Sequence, residues 1–370
     1  MEVPGLLADI EAMVTCESPS EDRAAVARSA EVVAGIGHRL LGAWPDRIVL
    51  DGRTHLRWKF GDAPTRVLLL GHHDTVWPIG SLVSHPYENK GLILRGPGCF
   101  DMKAGVAQAL HAVAGLPDRA GVTILITGDE ELGSPTSREL IETEAAGCAG
   151  ALVLEASADG GALKTSRKGV SLYRVRVVGR ASHAGLEPEA GVNSTVELAH
   201  QVLAVRALAD PALGTTVEPT RAKAGTTTNT VPAAGEFDVD VRVRTLAEQD
   251  RVDRAMRALS PVLPDARVEV EGGPNRPPLE ESASAELFAR AVKVAARLDL
   301  PSPARASVGG ASDGNFTAGI GTPTLDGLGA VGGGAHADSE HVVVTELPHR
   351  VALVAGLTAE LLAVDSPAGR

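Results

Sequence analysis

The sequence predicts an α/β protein with a second, α+β domain inserted into it. Three observations carry the prediction. Short apolar runs at 67–70, 122–127 and 151–154 read as buried strands, and each runs into polar residues at its carboxyl end. From about Gly169 the pattern changes to a period of two, with Tyr173, Val175 and Val177 alternating with Arg174 and Arg176, as in a half-exposed antiparallel strand. After Pro278 helical periodicity returns, over about 284–298 and 346–362.

Bulk composition allows this architecture and excludes others. The 370 residues suffice for two domains, and 44% hydrophobic with 22% charged residues is ordinary for a globular chain. No apolar run reaches the ~18 residues of a membrane span. A net charge of −12 argues against general nucleic-acid binding. Met1-Glu2-Val3-Pro4 lacks the basic region and apolar core of a secretory signal. Cys16, Cys99 and Cys148 are an odd number without motif spacing, so a reducing, cytoplasmic setting is expected rather than a disulfide framework.

Taken in order, residues 5–41 read as one or two amphipathic helices punctuated by Ser18-Pro19-Ser20-Glu21, with Ser20 as N-cap. Residues 54–60 and 66–70 read as neighbouring strands, the second stopping at Gly71, and 88–94 as a short strand or turn. The second strand delivers His72, His73 and Asp74 to its carboxyl end, where ligand sites of open α/β sheets lie. In an extended segment His72 and Asp74 share a face and His73 points the other way. That suits a metal ligand and the carboxylate that orients it; a solvated polar strand end is the other reading. The turn-rich 95–105 then leads into a helix over about 103–116, with Asp101 near its start, as a cap or as a ligand.

The strand 122–127 runs into Asp129-Glu130-Glu131, three carboxylates that repel one another unless cations compensate. An acidic loop before a helix is the plainer alternative. The third strand ends in Glu155, so three strand ends bring acids and imidazoles towards one edge of the sheet. The inserted segment, 169–275, reads strand-helix-strand-strand-helix-strand, a ferredoxin-like α+β sandwich, between catalytic-domain segments 1–168 and 276–370. Gly327-Leu328-Gly329-Ala330-Val331-Gly332 matches a dinucleotide-binding glycine pattern but opens no helix, so it reads as a loop that positions His336. The last residues, 366–370, read as frayed.

Five segments in chain order resemble the dinuclear-zinc metallopeptidase and amidohydrolase family: Gly71-His72-His73-Asp74-Thr75, 96–103 around Asp101, Asp129-Glu130-Glu131-Leu132-Gly133-Ser134, 179–185 around His183, and Ala335-His336. The similarity spans about 5–365 and is greatest to the glutamate carboxypeptidase branch; aminoacylase, acetylornithine deacetylase and succinyl-diaminopimelate desuccinylase are other branches. It implies a zinc-exopeptidase-like catalytic domain with an inserted dimerisation or lid domain. It implies two zinc ions per chain, with cobalt or manganese as substitutes. Asp101 would bridge them, His72 and Glu155 would complete one, and Glu131 and His336 the other. It also implies a cis peptide after Asp101, Glu130 as general base and Asp74 hydrogen-bonded to His72.

From the inserted domain, the resemblance implies that His183 reaches the partner subunit's site in a homodimer formed through 169–275. Asn229 and Arg242 would hold the substrate's carboxylate; for Arg242 a surface ladder with Asp238, Asp240 and Arg244 is the competing reading. His73, His85, His341 and Cys99 are left as structural or surface residues.

Chemically, two metal ions about 3.5–4 Å apart can share a hydroxide and polarise an amide carbonyl, and mixed carboxylate and imidazole ligands suit zinc. The expected activity is therefore amide hydrolysis releasing a free amino acid, carboxypeptidase-like, with glutamate among the candidates. An N-acyl-amino-acid amidohydrolase is the nearest alternative. A silent metal-binding or amino-acid-sensing protein is the alternative of another class, against which Glu130 stands.

Overall fold

The computed structural model describes residues 3–363, and the segment 366–370 read as frayed lies outside them. The described residues form two compact units. One runs through Ser166 and resumes over Leu279–Val308 and from Ser312; the other comprises Arg167–Pro278 with Gly309–Ala311.

The first unit is built on a six-stranded sheet. From edge to edge its strands are Asp46–Leu50, Arg53–Lys59, Val122–Thr127, Val67–His72, Gly150–Val153 and Thr324–Leu325. The first two pairings are antiparallel and the last three parallel. Every residue of Val67–His72 and Val122–Thr127 is buried. Strands covered on both faces have no polar side to show, which is why they read as unbroken apolar runs. Val67 and Leu69 pack into the larger core with Val3–Thr15, Arg23–Leu41, Ala104–Ala114 and Leu347–Ala363. Leu68 and Leu70 face the opposite core with Ile141, Ala145 and Phe316.

Two expectations need correction. The strand expected to stop at Gly71 continues through His72. Gly71 is closely packed: a Cβ there would stand 2.8 Å from the Met102 Cε, so any side chain would have to displace the end of Met102. The helix expected to be capped by Ser20 is capped by Asp22, whose Oδ1 accepts the Ala24 and Ala25 N–H groups at 3.0 and 2.9 Å. Ser20 is drawn away instead by a buried carboxylate, donating to Asp74 Oδ2 at 2.6 Å.

The second unit has the strand-helix-strand-strand-helix-strand order of a ferredoxin-like sandwich. Its strands lie in the order Thr216–Ala224, Ala234–Val243, Gly169–Val178, Arg267–Arg276, all antiparallel. Tyr173, Val175, Val177, Phe237, Val239 and Val241 fill its core against helices Ser194–Arg206 and Leu246–Arg257. The other sheet face carries ion pairs, among them Arg174–Asp238 at 2.8 Å and Lys223–Glu236 at 2.9 Å.

Candidate metal centre

The carboxyl ends of the parallel strands place the chemistry. His72 closes one strand, the acidic loop 128–134 follows the next, and Glu155 lies just beyond the third. Two glycines press on the last of these ends: a Cβ at Gly105 or at Gly329 would stand 2.0 or 2.1 Å from the Leu154 carbonyl oxygen. Only glycine lets helix and loop close on the backbone that presents Glu155. Asp101 arrives from a turn, Cys99–Lys103, that precedes helix Ala104–Ala114, and the Asp101–Met102 peptide is cis. His336 comes from the glycine-rich loop and adopts a left-handed φ of 61°.

These side chains converge. His72 Nε2 lies 3.5 Å from Asp101 Oδ1 and 3.5 Å from Glu155 Oε1. His336 Nε2 lies 3.3 Å from Asp101 Oδ2 and 3.2 Å from Glu131 Oε1. Asp101 thus turns one oxygen to each imidazole. Ligand atoms of His72, Asp101 and Glu131 fall within 4.8 Å of one another, and so do those of His72, Glu130 and Glu155. Distance alone therefore places Glu130 among the groups able to reach a metal, beside the ligands the sequence suggested.

The donor chemistry fits a cation. His72 Nδ1 is 3.0 Å from the Asp74 carbonyl oxygen, which can only accept, so Nδ1 carries the proton. Nε2 is then the ring atom that faces Asp101 and Glu155, and at 3.5 Å it is a buried atom that makes no hydrogen bond to either. A buried nitrogen without a partner is costly unless something electrophilic sits against it. Electrostatics agree. Burial opposes charge on His72, but Asp101, Asp74 and Glu155 outweigh it and raise its pKa well above the ordinary value. Asp101 and Glu131 push His336 up to about 10. Burial opposes ionisation of Asp101 as well, yet His336 and His72 hold its carboxyl far below the usual range. Burial raises Glu131. A cluster that demands positive charge from its histidines is one that divalent cations satisfy.

Carboxylates that touch no candidate ligand atom hold these groups. Asp74 is fully buried; its Oδ1 accepts the Glu130 N–H at 3.3 Å and its Oδ2 the Glu131 N–H at 3.2 Å. Asp74 Oδ1 also lies 3.4 Å from His72 Nδ1, so one side chain ties His72 to the acidic loop. Asp129, the first acid of that loop, turns away to accept from Thr136 N–H and Oγ1 and from Ser137 Oγ at 2.6–2.8 Å. Asp313 accepts from Thr127 Oγ1 at 3.0 Å and from Ser134 Oγ, bracketing the loop's two ends. Glu340 accepts four N–H groups, three of them from the Asp101 turn. Sequence reasoning gave Ser20 to a helix cap and missed Asp313 and Glu340. Their only signal was acids and hydroxyls in turns near the motifs, a pattern too common to single out.

His73 points away from the cluster, with Nε2 3.0 Å from the Thr54 carbonyl; burial lowers its pKa to about 4, so it is neutral. His85 pairs with Asp338 at 3.1 Å.

His183, Asn229 and Arg242 belong to the second unit. His183 and Asn229 are brought together there: Ser182–His183 pairs with Thr230–Val231, and the Asn229 carbonyl accepts the Ala184 N–H at 2.9 Å. The exposed His183 accepts the Gly185 and Leu186 N–H groups on Nδ1, both at 3.1 Å, which leaves Nε2 as the donor. Arg242 is gripped by Asp240 through Nε at 2.7 Å and Nη2 at 2.9 Å.

Comparison with known proteins places these features in a context. The profile of Peptidase family M20/M25/M40 matches residues 68–360. The chain is 33% identical to carboxypeptidase G2 of Pseudomonas sp. (strain RS-16) over 314 residues, 81% of this chain and 75% of that one. It is 31% identical to succinyl-diaminopimelate desuccinylase of Caulobacter vibrioides over 202 residues, 49% of this chain and 52% of that one. Among solved structures, the M20 family metallo-carboxypeptidase Sso-CP2 from Sulfolobus solfataricus superposes with a TM-score of 0.75 at 16% identity, over 97% of this chain and 99% of that one. Aminopeptidase PepT from Bacillus cereus gives 0.74 at 19% identity, over 98% and 99%. At such identities the likeness is one of fold.

Proposed function

The chain belongs to peptidase family M20/M25/M40 and is a metal-dependent hydrolase of peptide or related amide bonds, and from that premise we propose that it is a two-zinc carboxypeptidase-like enzyme that releases a free amino acid, with glutamate the first candidate. The observation that carries the reading is the division of Asp101, one oxygen towards His72 at 3.5 Å and the other towards His336 at 3.3 Å. A carboxylate so placed suits a bridge between two ions. His72 and Glu155 would hold one zinc, Glu131 and His336 the other. Zinc in such a site supplies Lewis acidity towards the scissile carbonyl and makes water a nucleophile at neutral pH.

The chain's own residues do the rest. Glu130 takes a proton from the attacking water as the water oxygen bonds to the carbonyl carbon. When the carbon–nitrogen bond breaks, Glu130 returns that proton to the departing amine. Asp74, holding the amides of both Glu130 and Glu131, keeps base and ligand in register. His183, with Nε2–H as its donor, suits stabilisation of the developing oxyanion. Arg242 suits a substrate carboxylate through two parallel hydrogen bonds, in competition with Asp240.

A homodimer through the second unit is part of the proposal. Strand Thr216–Ala224 lies at a sheet edge, and the neighbouring helix Ser194–Arg206 exposes Val196 and Leu203. An unpaired edge beside exposed apolar side chains invites a partner.

Similarity to a desuccinylase supports a second reading, hydrolysis of an N-acyl amino acid at the same site. One experiment separates the two and tests both. Zinc-reconstituted protein is analysed for metal and screened against dipeptides, longer peptides and N-acyl amino acids by amine release. Two zinc ions per chain and release of the C-terminal amino acid from peptides are expected. A ceiling of one ion removes the bridge, and turnover of N-acyl amino acids alone selects the second reading.

A further inference from the structure

The turn that carries Asp101 is wrapped around a side chain from elsewhere in the chain. Glu340 is buried, and its Oε1 accepts the backbone N–H groups of Phe100 and Asp101 at 2.9 and 3.0 Å. Its Oε2 accepts Gly98 N–H at 2.9 Å and Trp77 Nε1–H at 2.7 Å. Four neutral donors converge on one carboxylate. Successive backbone amides pointing inward make an anion-binding concavity, and here an internal anion fills it. The turn can close this tightly because Gly98 has a φ of 69° and a Cβ there would lie 2.5 Å from Thr75 Cγ2.

Three segments meet at this carboxylate, and each leads to a different part of the metal cluster. Trp77 lies three residues after Asp74, and Gly98 to Asp101 end on the proposed bridge. Glu340 itself follows His336 through a short turn in which Ala337 N–H donates to Gly334 O and Glu340 N–H to Ala337 O, at 2.9 and 2.8 Å. Immediately beyond, His341–Val343 pairs with Ile93–Arg95 on one side and, at its first residues, with Gly332–Gly333 on the other. Glu340 therefore stands where the strand leading to Asp101 and the loop presenting His336 are stitched together.

We propose that Glu340 is a positioning residue of the metal centre, fixing the Asp101 turn against the His336 loop so that one Asp101 carboxylate serves both halves of the site. This rests on the two-metal reading above. Glu340 touches no candidate ligand atom; it acts through the backbone of Asp101. A shift of that backbone moves both Asp101 oxygens, and it bears hardest on the half whose other imidazole, His336, sits on the loop that Glu340 also ties down. Removing a group that orients a ligand typically weakens metal binding 10–100-fold.

The test compares wild type, Glu340→Gln and Trp77→Phe, each stripped of metal and titrated with cobalt(II) and zinc. Glutamine keeps the shape, but its amide NH2 faces two N–H donors that it cannot satisfy. The expected result for Glu340→Gln is one cobalt bound within a few-fold of wild type, the second about 10–100-fold more weakly, with an altered visible spectrum. Thermal melting of the metal-free Glu340→Gln protein should fall as well, because buried N–H donors lose an acceptor; a purely structural role would lower the melt without singling out one ion or changing the spectrum. Trp77→Phe, which removes one donor of four and leaves the carboxylate, should weaken the same ion a few-fold. Both cobalt affinities within twofold of wild type and an unchanged spectrum in Glu340→Gln overturn the assignment. If Glu340→Gln does not fold, Trp77→Phe decides alone by the same criterion. Wild-type protein that binds only one ion overturns the two-metal reading itself, and with it this one.

Discussion

Glu130 is the residue whose role two observations divide. Its position beside the proposed ligands, with a carboxylate oxygen within 4.8 Å of donor atoms of His72 and Glu155, would let it coordinate; the proposed mechanism makes it the base. Glu130→Gln separates the two. The backbone should not move, because Asp74 holds the amides of residues 130 and 131 at 3.3 and 3.2 Å whatever the side chain. The side chain is buried and the amide is isosteric, so packing is kept. What changes is one negative charge and one proton acceptor. General base catalysis contributes about 10²–10⁴-fold, which at 1.36 kcal/mol per decade is about 2.7–5.4 kcal/mol of barrier. The expected outcome is a fall in kcat of that size with KM changed little and zinc content near two per chain. Metal is measured by elemental analysis after dialysis, and turnover by amine release on the same samples. Loss of one zinc in proportion to the loss of activity would move Glu130 into the ligand set. Retention of both metal and full kcat would refute its participation.

Arg242→Ala should lower kcat/KM about 10–150-fold for a substrate with a free carboxylate, the equivalent of about 1.5–3 kcal/mol for hydrogen bonds to a charged group. The loss should shrink for the amidated substrate; equal losses for both leave Arg242 as Asp240's surface partner only. Mixing inactive Glu130→Gln with inactive His183→Ala under subunit exchange should restore about one quarter of wild-type activity, since half the dimers are mixed and half their sites intact. No recovery, with exchange shown by native mass spectrometry, places His183 in its own subunit's site. Glu197→Gln should destabilise the protein by about 1.5–3 kcal/mol at pH 7. Glu197 is buried and accepts the Val262 and Leu263 N–H groups at 3.0 and 2.7 Å. Burial opposes its ionisation, but Gln201 and these amides outweigh it and hold its pKa below the ordinary 4.5. A depressed folded pKa stabilises above the unfolded pKa, so the wild-type advantage in denaturant melts should hold at neutral pH and fade as pH falls below about 4.5. A gap that persists at pH 3 contradicts the charge-based account.

The sequence by itself determined the α/β class, the ferredoxin-like insert and the family. Strands buried on both faces must be apolar throughout and the insert's half-exposed strands must alternate, so both architectures are written in local periodicity. The residues that would meet a metal were legible for a related reason. Imidazole and carboxylate at strand ends and tight turns are conspicuous because such groups seldom gather without a cation to offset them. Only the tertiary structure decided what holds them. That Ser20 serves Asp74 rather than a helix, and that the end of Met102 lies over Gly71, depends on residues 54 and 31 positions away in the chain. That Glu340 anchors the Asp101 turn depends on a partner 239 positions away. A hydrogen bond is directional and acts over about 3 Å, so which donors a carboxylate finds is settled by how distant segments pack, and no spacing along the chain records it.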